Sequence, residues 1–231
     1  MRQRLLLVLS LTALVVAVLV VPQLGQASGQ PFNSLSGTSR LPAGAGPRCS
    51  AAPYPGIDLP GCDLRGESLT NANLVDANLT GATVAGTNLS HASLVGARLS
   101  GADALDVSLS FADLTAADLT AVNLQSANLT EATLVGADVA DANLGGATFR
   151  RSNLYGADLS NADLTGANLD GANLEGANLD NANLTDATLV EAELFGADLT
   201  DVVWVNTTCP DGTNSNNDGE TCVNNTRFLE P

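Results

Sequence analysis

From about Ile57 to Trp204 the chain carries an apolar residue at every fifth position, with a small residue two places before it, in the form Ala-Asx-Leu-x-x. Five residues advance an α-helix by roughly 500°, so successive leucines would scatter around its surface and leave no apolar face. A straight strand alternates with period two, and an odd repeat would throw alternate leucines to opposite sides. The chain must therefore turn once per repeat, with a short extended side, then a bend. The Leu then always points inward, and the Ala beside it fills the corner.

The count supports a coil with a leucine core. Of the twenty-nine central positions from Leu64 to Trp204, twenty-four are Leu; Val84, Ala104, Val139, Phe149 and Trp204 are the exceptions. Two places upstream, twenty-two of twenty-nine are Ala. Aromatic residues make up 3% of the chain, as expected where a narrow interior leaves little room for rings. Ala104 is expected to leave a gap into which the adjacent Leu105 swings or bulges. A longer period of twenty emerges from Asp118, Asp138, Asp158, Asn178 and Asp198, and from Gly136, Gly156, Gly176 and Gly196. It implies four sides per coil. With strands about 4.8 Å apart, thirty pentads give a rod roughly 36 Å long.

The A(D/N)LXX pattern, as in Ala157-Asp158-Leu159-Ser160-Asn161, resembles the pentapeptide-repeat proteins over nearly two thirds of the chain. The resemblance implies an all-β fold, a right-handed quadrilateral β-helix of about seven to eight coils with stacked leucine ladders. It implies no single activity. The best-described members are cytoplasmic acidic rods that imitate DNA and bind DNA gyrase.

Outside the repeat, Met1-Arg2-Gln3-Arg4 is basic, Leu5 to Val21 is an apolar run, Pro22 breaks it, and Gly25-Gln26-Ala27 offers small residues before a cut. Residues 1–27 read as a secretory signal peptide. The alternative is an uncleaved membrane anchor, for which a run of seventeen residues falls short of the roughly 20 of a comfortable span. Residues 28–48, rich in Ser, Gly and Pro, read as a flexible linker. An N-terminal cap is placed at 49–62, overlapping the β-helix at 57–204; a C-terminal disulfide loop and tail occupy 205–231. The four cysteines flank the repeat in two pairs, each thirteen residues apart. Because the pairs sit at opposite ends of a rod, Cys49–Cys62 and Cys209–Cys222 is the connectivity a straight coil permits. Trp204, at a Leu position, is expected to cover the last coil.

Net charge is −16, with no Lys. Cleavage after Ala27 removes Arg2 and Arg4, leaving seven Arg against twenty-five acids, or −18. Nucleic acid is a poor partner for such a surface. No catalytic motif, cofactor motif or metal cluster stands out. The single His, His91, lies at an outward position with no Cys or Ser arranged around it, and triplets such as Asn78-Leu79-Thr80 follow from the repeat itself.

Three surface features go beyond the repeat. Asp118, Asp138, Asp158 and Asp198 form an acidic ladder, relieved by raised pKa values and hydrogen bonds to neighbouring Ser, Thr and Asn, or else gathering cations. Val75, Val95, Val135, Tyr155 and Phe195 form an apolar stripe beside Gly96, Gly136, Gly156, Gly176 and Gly196, a candidate contact surface for a protein partner or for self-association. Asp211, Asn214, Asn216 and Asp218 supply oxygens to a loop that lacks the glycine and closing glutamate of an EF-hand, and are weak metal candidates. The chain is read as an exported, non-enzymatic scaffold or interaction module without a cofactor. The alternative is a DNA-mimicking gyrase binder, which export and disulfides disfavour. Contact with a membrane is expected only if the N-terminal segment is uncleaved.

Overall fold

A pentad can join its neighbours only if its backbone groups find partners one coil away, and the computed structural model shows how they do. It describes Cys49, residues 51–217, Thr221 and Cys222. The expected signal peptide and linker, and the tail beyond Cys222, lie outside the described residues.

Twenty-seven parallel bridges link each residue before the core position to the one twenty residues on, from Asp58↔Asn78 to Thr188↔Thr208. A constant step of twenty across consecutive pentads defines four sides per coil. Face 1 runs from Asp58 to Asp198, face 2 from Asp63 to Val203, face 3 from Ser68 to Thr208 and face 4 from Asn73 to Glu193. The ladder continues one pentad past Trp204, so that Cys209 takes the next leucine position and is fully buried.

Every side up to the one centred on Leu199 ends in the same turn. The N–H of the small residue donates to the carbonyl of the preceding Leu, as in Val122 to Leu119 at 3.1 Å. The residue two places after each Leu has positive φ, whether it is Gly136 at 61° or Ala116 at 54°. These corners have the φ signature of type II turns. The glycine column therefore has a backbone role as well: Gly136, Gly156 and Gly176 are favoured there because they sit in the left-handed region.

The Leu and Ala ladders form one continuous buried core from Ile57 to Cys222. The interior does accept a ring at Phe149, wholly buried between Leu129 and Leu169 in its column. Where Ala gives way to a hydroxyl residue, the oxygen finds a main-chain acceptor. Thr87 donates to the Leu64 carbonyl and Thr207 to the Leu184 carbonyl, both at 2.7 Å, while Ser152 bonds its own turn at Phe149. Each pairing satisfies a group that would otherwise be costly to bury.

At Ala104 the expected bulge is absent. Val84 N–H donates to the Asp103 carbonyl and Ala104 N–H to the Asn123 carbonyl, so the register is unbroken and Leu105 keeps its outward corner position. The neighbours in its column are Val84 and Leu124, the former smaller than the leucine expected there.

Both disulfides are formed. Cys49–Cys62 and Cys209–Cys222 have Cα–Cα distances of 5.6 and 5.3 Å. At the C-terminal end the chain doubles back, pairing Thr208 with Asn214 in antiparallel fashion before the short 3-10 helix Ser215–Asn217. The buried Ser215 hydroxyl bonds the Trp204 carbonyl, and its own N–H reaches the Thr207 carbonyl at 2.9 Å. Trp204 is itself buried, with this reversal lying across its main chain.

Two stability predictions follow from the corner and the core. Gly136→Ala should destabilise by about 1 kcal/mol and Ala116→Gly should stabilise by about the same, because both positions are left-handed corners of one column. A Cβ at Gly136 would meet nothing within 4 Å, so the difference is conformational and not steric. Ala104→Leu should raise stability by about 1–2 kcal/mol if its methylenes enter the core. Urea titration of the oxidised protein reads all three; an unaltered or lower midpoint for Ala104→Leu would mean that the neighbours have already closed over the site.

Candidate interaction surface

The outward residues are ordered by the same geometry, beginning with the Asx before each Leu. In the pentad Asp118 to Val122, the Asp118 N–H reaches Ala97, Leu119 reaches Asp138, Ala121 reaches Ala140, and Val122 closes the turn. Only the Thr120 N–H has no backbone partner, and the Asp118 carboxylate accepts it at 3.1 Å. Asn128, Asn153 and Asp163 do the same for Thr130, Tyr155 and Thr165. These are Asx turns, in which a short side chain bonds its own backbone two residues on. Where Thr188 replaces the Asx, Asp170 from the coil before supplies the acceptor for Val190 at 3.0 Å.

This explains the acidic ladder on face 1. Asp118, Asp138 and Asp158 occupy consecutive coils, and Asn178 separates the last from Asp198. Each carboxylate accepts the N–H of its own turn, and three have a further donor: Thr120 to Asp118 at 2.6 Å, Asn178 to Asp158 at 3.1 Å and Thr200 to Asp198 at 2.6 Å. For Asp198 the expectation of a raised pKa fails. The Thr200 hydroxyl, helped by the Thr200 N–H, bonds the ionised form and holds the carboxyl below its ordinary value of 3.8. Among the described residues no three His, Cys, Asp or Glu side chains converge on a point where a metal would sit.

The terminal loop spends its oxygens on its own fold. Asp211 accepts from the Thr213 N–H and hydroxyl, Asn214 from the Asn216 N–H, and Asn216 from the Asn206 N–H. Asp218 lies outside the described residues. An exposed ion pair joins Arg65 to Asp63 at 2.6 Å, and the guanidinium lowers that carboxyl's pKa. So exposed a pair adds little to stability.

His91 does have a companion. Its ring stacks on Phe111, centroids 4.9 Å apart and planes within 4°, at corners twenty residues apart. The period of twenty would have revealed the pair, since the two share a column.

The apolar stripe occupies the corner between faces 4 and 1. Backbone bonds run straight along it: Ala116 N–H to Val135, Gly136 to Tyr155, Gly156 to Glu175 and Gly176 to Phe195. Val75, Val95 and Val135 are half-buried, whereas Tyr155 and Phe195 are 53% and 43% exposed. The glycines beside the stripe differ. At Gly96 the space of a side chain is taken by the Asp76 carboxylate, 2.6 Å from where a Cβ would lie; at Gly136, Gly156 and Gly176 it is open.

A four-sided parallel solenoid with leucine and alanine ladders inside and Asx turns outside is thus the class of protein defined by this geometry. The pentapeptide-repeat family profile, with eight copies, matches residues 56–84, 85–120, 107–146, 132–171 and 162–201, and the chain belongs to that family, whose fold is the right-handed quadrilateral β-helix. Among solved structures it is similar to HetL, a pentapeptide repeat protein involved in heterocyst differentiation regulation from the cyanobacterium Nostoc sp. Strain PCC 7120, at 31% identity over 70% of this chain and 92% of that one, TM-score 0.26. It is also similar to Rfr23 from the cyanobacterium Cyanothece 51142, at 34% identity over 50% and 66% of the two chains, TM-score 0.24. QnrB1, a plasmid-mediated fluoroquinolone resistance protein, matches at 20% identity over 64% and 84%, TM-score 0.33. No curated protein matches the chain. Proteins of this family are generally structural or interaction proteins and not enzymes.

The Asp198 turn gives a pH test. A depressed folded pKa contributes stability that is present above the unfolded value and is lost as the pH falls through the folded one. Thr200→Val removes the hydroxyl donor, so the Asp198 titration should move upward toward 3.8. Carboxyl-carbon NMR titration of wild type and variant measures the shift; identical curves would show that the hydroxyl bond has no effect on the ionised form.

Proposed function

We propose that the protein is an exported, non-enzymatic interaction scaffold that meets a protein partner through the corner between faces 4 and 1. The observation that carries the export half is the pair of cystines at the two ends of the coil, Cys49–Cys62 and Cys209–Cys222. Such bonds persist in oxidising compartments and are rare in a reducing cytosol. The basic, apolar and small-residue succession in residues 1–27 supports the same reading. The interaction half is supported by Tyr155 and Phe195, two exposed aromatics on one column, since such residues often anchor protein contacts.

A second reading, a DNA-mimicking rod that binds gyrase in the cytosol, draws on the column of carboxylates along face 1. Cell fractionation with thiol alkylation separates the two. Extracytoplasmic protein with all four cysteines oxidised is the expected result; cytosolic protein with alkylatable thiols would overturn export and favour the second reading. The surface is tested by Tyr155→Ser/Phe195→Ser: partners captured by wild type from the extracytoplasmic fraction should be lost while the fold is kept, and an unchanged set would remove this corner from consideration.

A further inference from the structure

The interaction reading leaves the occupant of the corner unnamed, and the order of residues along it names one. Between the half-buried Val135 and the exposed Phe195 lie Tyr155 and then Glu175, each one coil from the next. Neither the Tyr155 hydroxyl nor the Glu175 carboxylate has a partner among the described residues, and the ion pair found there lies elsewhere, at Arg65 and Asp63. Glu175 brings a charge into a stripe that is otherwise uncharged. Read from Val135 to Phe195, the column runs apolar, donor, acceptor, apolar; read backwards it runs apolar, acceptor, donor, apolar. The column is therefore complementary to itself when reversed.

We propose, building on the interaction reading, that this corner pairs with the same corner of a second copy in antiparallel register, Tyr155 bonding the partner's Glu175 and Val135 packing on the partner's Phe195. The two-fold axis falls midway between Tyr155 and Glu175, so each contact occurs twice, as an isologous interface requires. The open shelves at Gly136, Gly156 and Gly176 leave room for the opposing rings.

Charge favours this occupant over others. A chain of net charge −16 repels its own copies, so they meet most readily where acids are few and can be paired with a donor. Along this column and face 4, charge is absent from Thr115 and Thr133 through Asn153 to Gly156, with Glu175 the next acid. A cationic protein would be drawn instead to face 1. In the antiparallel arrangement face 1 of both copies lies on one side of the seam, with Asp138 opposite the partner's Asp198 and Asp158 opposite the partner's Asn178, so the repulsion between the acids weakens the pair and salt relieves it. With four residues of one column from each copy and acids beside the seam, the pair is a weak, concentration-dependent dimer.

Sedimentation velocity of the oxidised protein over a range of concentration and salt tests this directly. Wild type should shift from monomer toward dimer as either rises, and Tyr155→Ser/Phe195→Ser should weaken the association by at least about tenfold. Register is read by cross-linking Val135→Cys and Phe195→Cys variants. Mixed, they should form a disulfide between unlike chains; Val135→Cys alone should not cross-link to itself. A self cross-link at position 135 would indicate parallel register and overturn the pairing. Wild type that stays monomeric at every concentration and salt also overturns it. If the double variant then loses a different captured protein, the interaction surface stands with another occupant.

Discussion

At each corner one N–H, that of the residue after the leucine, faces away from both the next coil and the turn. Everything else in the pentad is paired by backbone alone, as the bonds from Asp118 to Val122 show. An Asx carbonyl or carboxylate two residues upstream is short enough to return to that N–H, and its neighbour must be held extended for it to do so. The extended side aims the leucine inward. The left-handed residue that follows swings the chain through the corner and delivers the next small residue to the interior. Where an Asx is present, the small ring it closes ties corner, core and surface pattern together; at Thr83, Ser93 and Thr133 the backbone ladder holds the same geometry without it.

That arrangement divides the residues cleanly. Inward positions hold mostly leucine and alanine, with a few other apolar residues such as Val139 and Phe149 and a few substitutes whose hydroxyls reach a carbonyl, such as Thr87 at Leu64. Outward corner positions contribute nothing to the core and are free to vary, which is why Val135, Tyr155, Glu175 and Phe195 can occupy equivalent corners without disturbing the ladder. On face 1, where an acid repeats in register, the Thr120, Asn178 and Thr200 donors bond the carboxylates. Within the described coils, the corner residues and the polar strand positions are the ones free to carry recognition chemistry.

The leucine and alanine ladders, the four sides and both cystine bridges were legible in the sequence, because each rests on a position that recurs or on a pair placed at an end. The Asx turns were not, although the Asx is as regular as the leucine; its task is a hydrogen bond to an N–H that hydropathy cannot register. The glycine columns suggested bare backbone, yet Asn161, Glu131 and Arg151 adopt the same left-handed corner, so the constraint is conformational and tolerates side chains. The repeat appeared to end at Trp204 because Cys209 does not look like a core leucine. At Ala104 a bulge seemed needed, but the bonds of Val84 and Ala104 to the adjacent coils hold the backbone whatever the side chain. His91 looked solitary only while it was viewed along the chain and not down the column to Phe111.

The uniform step of twenty residues also sets how the chain can find its structure. Each new coil has to close a loop of twenty residues, whichever coil it is, and that separation is only about 0.09 of the chain length. Nothing near one end waits for a strand from the other, unlike a sandwich whose sheets join distant segments. Order can begin on any coil and spread by one pentad at a time. A polypeptide released gradually from either end could therefore wind up behind its point of release, each completed coil serving as the template for the next.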